Sequence, residues 1–248
     1  MNNSRKRHRA LGATETLFED AELASAVTRG MEAAEAILND RLSRGHDLML
    51  APARYLSDAG GKRFRPLFTI LAAQLGPKPS NDEVPVAAAV VELIHLASLY
   101  HDDVMDESGL RRNAPSANAL WGNNLAILTG DYVFAHASRL CADLGADAVA
   151  VIADTFSELI AGQARETLGP RPGQDPVQHY LQVIREKTAA LIATSGRFGA
   201  MFSGAEPEQV ERMWRLVLQR HSRIVSRADD HGGGNARAEP DTDVAAAT

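Results

Sequence analysis

Apolar residues recur at the three- and four-residue spacing of an amphipathic α-helix along most of this chain, whereas runs of alternating β-branched residues are nearly absent. This pattern predicts an all-α fold. Glycine and proline interrupt it, most clearly at 76–80 and 169–173, because neither residue continues a helix well. The predicted helices span about 14–43, 47–58, 63–75, 82–107, 116–123, 125–143, 146–168, 177–203 and 207–225.

The domain organisation follows from where this pattern stops. The 248 residues are 45% hydrophobic and contain no internal repeat, so we predict one helical domain over 13–226. Residues 1–12 are basic and have no apolar run behind them, which predicts a disordered tail and argues against a secretory signal. Residues 227–248 have Val244 as their one sizeable aliphatic side chain, so we predict a second disordered tail that begins near Ala228.

Charge and cysteine content exclude several classes of protein. The formal net charge of -6 argues against a nucleic-acid binder. Residues 84–100 form the most apolar stretch, which is too short and too polar for a membrane span, so we predict a soluble protein without a transmembrane segment. Cys141 is the single cysteine, which excludes an intrachain disulfide and suits a cytoplasmic location.

Four carboxylates stand at the end of this apolar stretch: Asp102, Asp103, Asp106 and Glu107. Ionised groups are costly to bury unpaired, so their placement indicates a multivalent cation. Asp102 and Asp106 lie one helical turn apart and can share it, and ligands that are all oxygen favour Mg²⁺ or Mn²⁺. The alternative is a solvated helix end. His95 lies two turns deeper on the same face, where a lone histidine is usually structural.

Cations stand on both sides of the acidic run. Arg111 and Arg112 follow it, and they are either ion-pair partners for the carboxylates or donors to a phosphate. The segment Gly-Gly-Lys-Arg-Phe-Arg-Pro at 60–66 suits a phosphate loop, although basic loops are usually solvated. Lys187 and Thr188 begin another apolar stretch, where a lysine is ordinarily a surface residue. A metal on one side and guanidinium groups on the other form a clamp for a diphosphate.

Taken together, these motifs resemble the trans-isoprenyl diphosphate synthase family, also called polyprenyl synthetases. The resemblance covers roughly residues 55–205, and the motifs stand in the order found in the family. They are GGKRFRP at 60–66, ELIHLASLYHDDVMDE at 92–107, LRRNAPSAN at 110–118, LTGDYVFAHAS at 128–138 and EKTAALI at 186–192. The family implies an isoprenoid-synthase-type helical bundle around a central cavity, and usually a homodimer.

The resemblance also implies a reaction and a role for each matching residue. The reaction is the 1'-4 condensation of isopentenyl diphosphate with an allylic diphosphate, which gives an all-trans polyprenyl diphosphate. The first aspartate-rich motif, which holds Mg²⁺ on the allylic diphosphate, matches Asp102, Asp103 and Asp106. Further allylic-diphosphate contacts match Arg111, Lys187 and Thr188, of which Lys187 is also implied in catalysis. The contacts for isopentenyl diphosphate match Lys62, Arg65, His95 and Arg112.

Two positions bear on the length of the product. In the family, bulky aromatic residues four or five positions before the first aspartate close the floor of the pocket. Here those positions are Ser98 and Ala97, which are both small. The resemblance therefore implies that a short product is not enforced at this point.

The chain departs from the family pattern after Gln219. Family members carry a second aspartate-rich motif, FQxxDDxxD, whereas here Asp229 and Asp230 lack the preceding Phe-Gln and Gly233 replaces the third acid. The glycines there disfavour a helix. His136 also replaces a common arginine. We therefore expect a C-terminally truncated or frameshifted member whose bundle is incomplete at that end.

This departure leaves two functions open. One is a prenyltransferase impaired by loss of the second motif, and the other is a non-catalytic homologue that depends on a partner subunit. A class I terpene cyclase also uses an acidic metal motif on helices, but the segment 60–66 and the paired arginines at 111–112 provide for a second diphosphate and disfavour a cyclase.

Overall fold

The computed structural model describes residues 18–232 of the chain, with side chains as far as residue 219. This part is a bundle of α-helices with one π-helical segment and one hairpin of two-residue strands. The predicted all-α class is confirmed, although the sequence pattern predicts no hairpin. In chain order, the elements are α1 (Ala21–Leu42), α2 (Asp47–Asp58), α3 (Phe64–Ala73), α4 (Glu83–Met105), β1 (Leu110–Arg111), β2 (Ala114–Pro115), α5 (Ala117–Trp121), α6 (Asn123–Asp143), α7 (Ala146–Leu168), α8 (Pro176–Ile184), the π segment (Arg185–Ala189), α9 (Ala190–Phe202) and α10 (Pro207–Gly232).

The start of α1 is set by a capping residue. The Asp20 side chain accepts hydrogen bonds from two N–H groups in the first turn, at 2.9 and 3.1 Å. The predicted start near residue 14 is therefore wrong, because residues 18–20 are not helical, while 14–17 and the predicted tail at 1–12 lie outside the described residues.

Helix α4 is the central element of the bundle, and α1, α3, α6 and α9 all pack against it. By length and composition its 23 residues could cross a membrane, which corrects the prediction that the segment is too short and too polar. However, 67% of its most apolar stretch is buried inside the fold, as expected of a core helix. Its small residues, including Ala87, Ala88 and Ala97, let the neighbouring helices approach on several sides at once.

The single helix predicted at 177–203 is instead α8, the π segment and α9 in succession. The interruption lies where α7 comes closest. A Cβ added to Gly162 of α7 would lie 2.7 Å from the backbone nitrogen of Lys187 and 2.8 Å from the Cβ of Glu186. Single π-helical turns inside α-helices are frequent at functional sites, and this one carries Lys187.

The last described helix is longer than the sequence predicts. Helix α10 continues to Gly232, so residues 227–232, which we predicted to begin the disordered tail, are helical. The local penalty of glycine is of the order of 1 kcal/mol for each residue, which a long helix can absorb at its end. Residues 233–248 lie outside the described part.

Candidate active site

The acidic run lies at the C-terminal end of α4, where Asp106 is the capping residue and its N–H donates to the Asp102 carbonyl at 2.8 Å. Asp102 is half-buried, and burial raises the pKa of its carboxyl group. Lys187 and Arg111 counteract this rise, whereas Asp106 and Glu166 add to it. A cation bound at Asp102 would favour the ionised form of this carboxyl group.

Asp103 points in a different direction. It is 0% exposed, and Arg111 donates from Nε to its Oδ1 at 2.6 Å. Its second oxygen, Oδ2, is buried without a hydrogen-bond partner in the structure. The ion-pair alternative for Arg111 is therefore realised in this structure, and Asp103 is separated from the pair formed by Asp102 and Asp106.

Among the residues that the structure describes, no three Asp, Glu, His or Cys side chains converge as a ready-made metal site. The structure thus brings Asp102 and Asp106 together but does not add Asp103 to them. The oxygen donors of this pair nevertheless fit a hard cation such as Mg²⁺, which commonly binds one or two protein carboxylates and completes its shell with water and phosphate.

Lys187 faces the acidic run from the π segment. Its Nζ donates to Oε2 of Glu166 at 2.5 Å, and both side chains act electrostatically on Asp102. Thr188 is half-buried in the same segment. Glu166 is not among the site residues predicted from the sequence, because its place opposite the acidic run depends on how α7 packs in the fold.

The hairpin between α4 and α5 carries the paired arginines. Arg111 pairs with Ala114 in the ladder, and Arg112 and Asn113 form the two-residue turn with φ of 55° and 62°. Positive φ at both central residues is the geometry of a type I′ turn. Arg112 donates from Nη1 to the Leu56 carbonyl at 2.5 Å, and a Cβ added to Gly61 would lie 3.0 Å from the Arg112 guanidinium.

His95 lies among these cations. Burial, together with the charges of Arg65, Arg112, Arg111 and Arg63, lowers the pKa of His95 to about 2. Its imidazole is therefore neutral at physiological pH and can donate one hydrogen bond. Burial also lowers the pKa of Arg65, whose Nε is buried without a partner and is thus free to meet a ligand.

Two glutamates that the sequence motifs do not indicate form ion pairs at the cation cluster. Arg63 is 11% exposed in its side chain and donates from Nε to Glu35 at 2.9 Å and from Nη1 to Glu92 at 3.0 Å. Burial works against the charge of Arg63, but these partners outweigh it and raise its pKa. Lys62, next in the chain, is exposed and has no ion-pair partner among the described residues.

The two groups of charges adjoin at Arg111. Arg111 acts on Asp102, in the acidic run, and on His95, in the cation cluster. Asp102, Asp106 and Lys187 therefore belong to one group of interacting charges and Arg65, His95 and Arg112 to a second, and Arg111 interacts with a member of each group. The side chains of Asp229 and Asp230 lie outside the described residues, so a second acidic group is not located.

The sequence matches the family model described as "Polyprenyl synthetase" over residues 46–220. Nonaprenyl diphosphate synthase of Mycobacterium tuberculosis is 56% identical over 197 residues, which are 79% of this chain and 59% of that protein. Heptaprenyl diphosphate synthase component 2 of Geobacillus stearothermophilus is 43% identical over 163 residues, which are 65% of this chain and 51% of that protein.

Solved structures give the same result. Geranylgeranyl pyrophosphate synthase from Corynebacterium glutamicum, in complex with calcium and isoprenyl diphosphate, superposes with a TM-score of 0.76 at 47% identity, covering 86% of this chain and 65% of that one. This chain thus spans between about half and three fifths of the length of the two curated relatives above. Because the family model matches most of its residues, the chain belongs to the polyprenyl synthetase family.

Proposed function

We propose that this chain is a Mg²⁺-dependent prenyltransferase that condenses isopentenyl diphosphate with an allylic diphosphate in a 1'-4 linkage to give an all-trans polyprenyl diphosphate. The observation that carries the proposal is that one hairpin holds Arg111, which donates to Asp103 of the acidic helix end at 2.6 Å, next to Arg112 of the cation cluster, which donates to the Leu56 carbonyl at 2.5 Å. One diphosphate can bind at the carboxylates through a metal ion, and a second can bind directly at the cation cluster. The names of the relatives support the same reaction class.

The allylic diphosphate is assigned to the acidic side. Mg²⁺ held by Asp102 and Asp106 would supply positive charge to the diphosphate as it leaves. Lys187 provides a cation from the opposite helix, and Glu166, 2.5 Å from its Nζ, holds that ammonium group near Asp102. Arg111 pairs with Asp103 and also acts electrostatically on Asp102, so we assign it to the same diphosphate. We carry Thr188 over as a further contact from the family resemblance.

Isopentenyl diphosphate is assigned to the cation cluster. Arg65 offers a buried Nε without a partner, and burial lowers the pKa of both Arg65 and Arg112. Guanidinium groups that lie close together and are partly desolvated are stabilised by a bound anion, because its negative charge offsets their mutual repulsion. His95 stays neutral and can donate to a phosphate oxygen without adding charge. Exposed Lys62 can close over the ligand from the loop.

The chemistry requires charge stabilisation and exclusion of water. The allylic C1–O bond breaks with both electrons leaving on the diphosphate, and Lys187 and Arg111 are placed to balance that charge. The double bond of isopentenyl diphosphate then attacks the allylic cation, and the adduct loses a proton to the released diphosphate, which regenerates a double bond. The apolar wall of α4 keeps water from capturing the cation.

The small residues about one helical turn before Asp102 on α4 favour a product longer than one condensation gives. Ala97 is fully buried, and Ser98 is half-buried with its Oγ donating to the His95 carbonyl at 2.9 Å. Neither position carries the bulky aromatic side chain that closes the pocket floor in the family. We therefore propose that several condensations occur before release.

A second candidate function is a subunit that depends on a partner. One relative is named as a component of heptaprenyl diphosphate synthase, and this chain carries one aspartate-rich motif of the family form. Leu168, Val177 and Tyr180 expose 83%, 53% and 51% of their surface and could meet another chain. We propose a homodimer, or failing that a heteromeric complex, in the cytoplasm.

The test is the release of diphosphate by the purified chain with Mg²⁺, an allylic diphosphate and isopentenyl diphosphate. Asp102→Asn should lower the rate by about 10² or more, because a preorganised charge-stabilising group is lost. Glu107→Gln is the matched control, since it removes an exposed charge of the same acidic run beyond the helix end. Equal rates for the two variants would refute the assignment. Activity that appears only on mixing with a relative favours the second candidate.

A further inference from the structure

Tyr100 lies two residues before Asp102 on α4 and is completely buried against α2. Its hydroxyl donates to the Pro52 carbonyl at 2.5 Å and accepts from the Leu56 N–H at 3.2 Å.

These two partners are four residues apart on α2, so they are the acceptor and donor that an unperturbed α-helix would join directly. The Tyr100 hydroxyl contacts both groups and also lies 3.3 Å from the Ala53 carbonyl oxygen, while residues 47–58 remain a continuous α-helix. The last turn of α2 is therefore tied to a hydroxyl that belongs to α4.

The last turn of α2 in turn holds the hairpin. The Leu56 carbonyl accepts from Nη1 of Arg112 at 2.5 Å, and the Tyr55 hydroxyl donates to the Pro115 carbonyl at 2.7 Å. Arg112 has a φ of 55°, so the hairpin turn is held in a left-handed conformation that surrounding contacts must maintain. Leu56 thus connects Tyr100 on one side to Arg112 on the other.

We propose that Tyr100 is a positioning residue for the diphosphate site: through Leu56 it fixes the direction of the Arg112 guanidinium. It touches no substrate. Because Tyr100 stands on the same helix as Asp102, it couples the position of the acidic helix end to that of the cation cluster. The identity of the ligand at Arg112, isopentenyl diphosphate, rests on the function proposed above, whereas the connection between Tyr100 and the hairpin does not.

The test compares Tyr100→Phe, which removes one buried hydroxyl and keeps the ring, with Thr155→Val. Thr155 is a matched control because its buried hydroxyl also bonds a backbone carbonyl, that of Val151 at 2.7 Å, but lies on α7 away from the hairpin. Amide hydrogen exchange over 110–115 and calorimetric binding of isopentenyl diphosphate to the full chain are measured for both. Arg112→Gln and the double variant with Tyr100→Phe complete a cycle.

Tyr100→Phe should speed exchange in the hairpin and weaken binding about tenfold, the effect of loosening one hydrogen bond to a charged group. The double variant should bind isopentenyl diphosphate as weakly as Arg112→Gln alone. Thr155→Val should have the wild-type exchange rate and affinity. Wild-type exchange and affinity in Tyr100→Phe, or a variant that does not fold, would assign Tyr100 to stability alone and overturn the proposal. If the wild type binds no isopentenyl diphosphate but hairpin exchange still rises, the proposed function fails and the positioning role stands.

Discussion

Replacing Arg63 with methionine tests whether the cation cluster depends on its buried anions. Arg63 donates to Glu35 at 2.9 and 3.2 Å, to Glu92 at 3.0 Å, and to the carbonyl and hydroxyl of Ser57 at 3.3 and 3.0 Å. The residue therefore joins α1, α2 and α4 at the start of α3. Methionine keeps much of the apolar stem but supplies no donors.

The magnitude follows from what each partner can do once Arg63 is gone. The side chain of Glu35 is 27% exposed and can regain water, so its loss counts little. Glu92 is 2% exposed and would be left as a buried charge. Removing one partner of a buried ion pair typically costs about 3–5 kcal/mol, and nearby Arg65 and Arg112 give Glu92 some compensation. We expect a loss of about 3 kcal/mol.

Urea denaturation of the full chain measures this loss. The double variant Arg63→Met with Glu92→Gln should recover part of the stability. It removes the charge of Glu92, which the single variant leaves buried without Arg63. A loss below about 1 kcal/mol in Arg63→Met, in the range of exposed ion pairs, would show that Glu92 does not depend on Arg63. So would a double variant that is no more stable than the single one.

Three further predictions concern the site. The folded pKa of His95, about 2, lies below its unfolded value near 6.5, so the unfolded state binds the extra proton between these values and stability falls as pH drops below 6.5. Urea titrations at pH 7 and pH 5 should show a loss of about 2 kcal/mol that His95→Gln lacks, and an equal loss in both proteins would contradict this. Gly162→Ala should cost about 1–3 kcal/mol in thermal unfolding, because its Cβ would meet the backbone of the π segment, while Gly109→Ala, in open space, should be neutral. Lys187→Gln should weaken calorimetric binding of an allylic diphosphate by about 10- to 100-fold, whereas Lys78→Gln, in an exposed loop, should not; equal affinities would rule out Lys187 as a contact.

The parts of the fold that sequence predicts well are those set by local residues. Helix α7 has the predicted bounds because Gly145 and Gly169, both with positive φ, stand at its two ends. The hairpin at 110–115 was missed because strands of two residues are too short to show an alternating pattern. The π segment was missed because it occurs where Gly162, on another helix, approaches closely.

The same distinction holds for the site. The acidic run and the paired arginines are contiguous in sequence, so their chemistry is visible there. Arg63 stands between two residues assigned to phosphate binding, yet its contacts are with glutamates from two other helices, and spacing cannot show that. Asp103 looks equivalent to its neighbours in sequence, but the helix turns it into the core toward Arg111.

Product analysis with labelled isopentenyl diphosphate shows whether this chain forms prenyl–prenyl bonds. The purified chain is incubated with Mg²⁺ and an allylic primer, and the extracted prenyl diphosphates are separated by chain length. We expect label to enter all-trans products longer than one condensation gives, in a reaction that requires both Mg²⁺ and the primer and that Asp102→Asn slows by about 10² or more. Absence of labelled product at enzyme concentrations equal to that of the primer would contradict the claim that this chain carries out prenyl transfer.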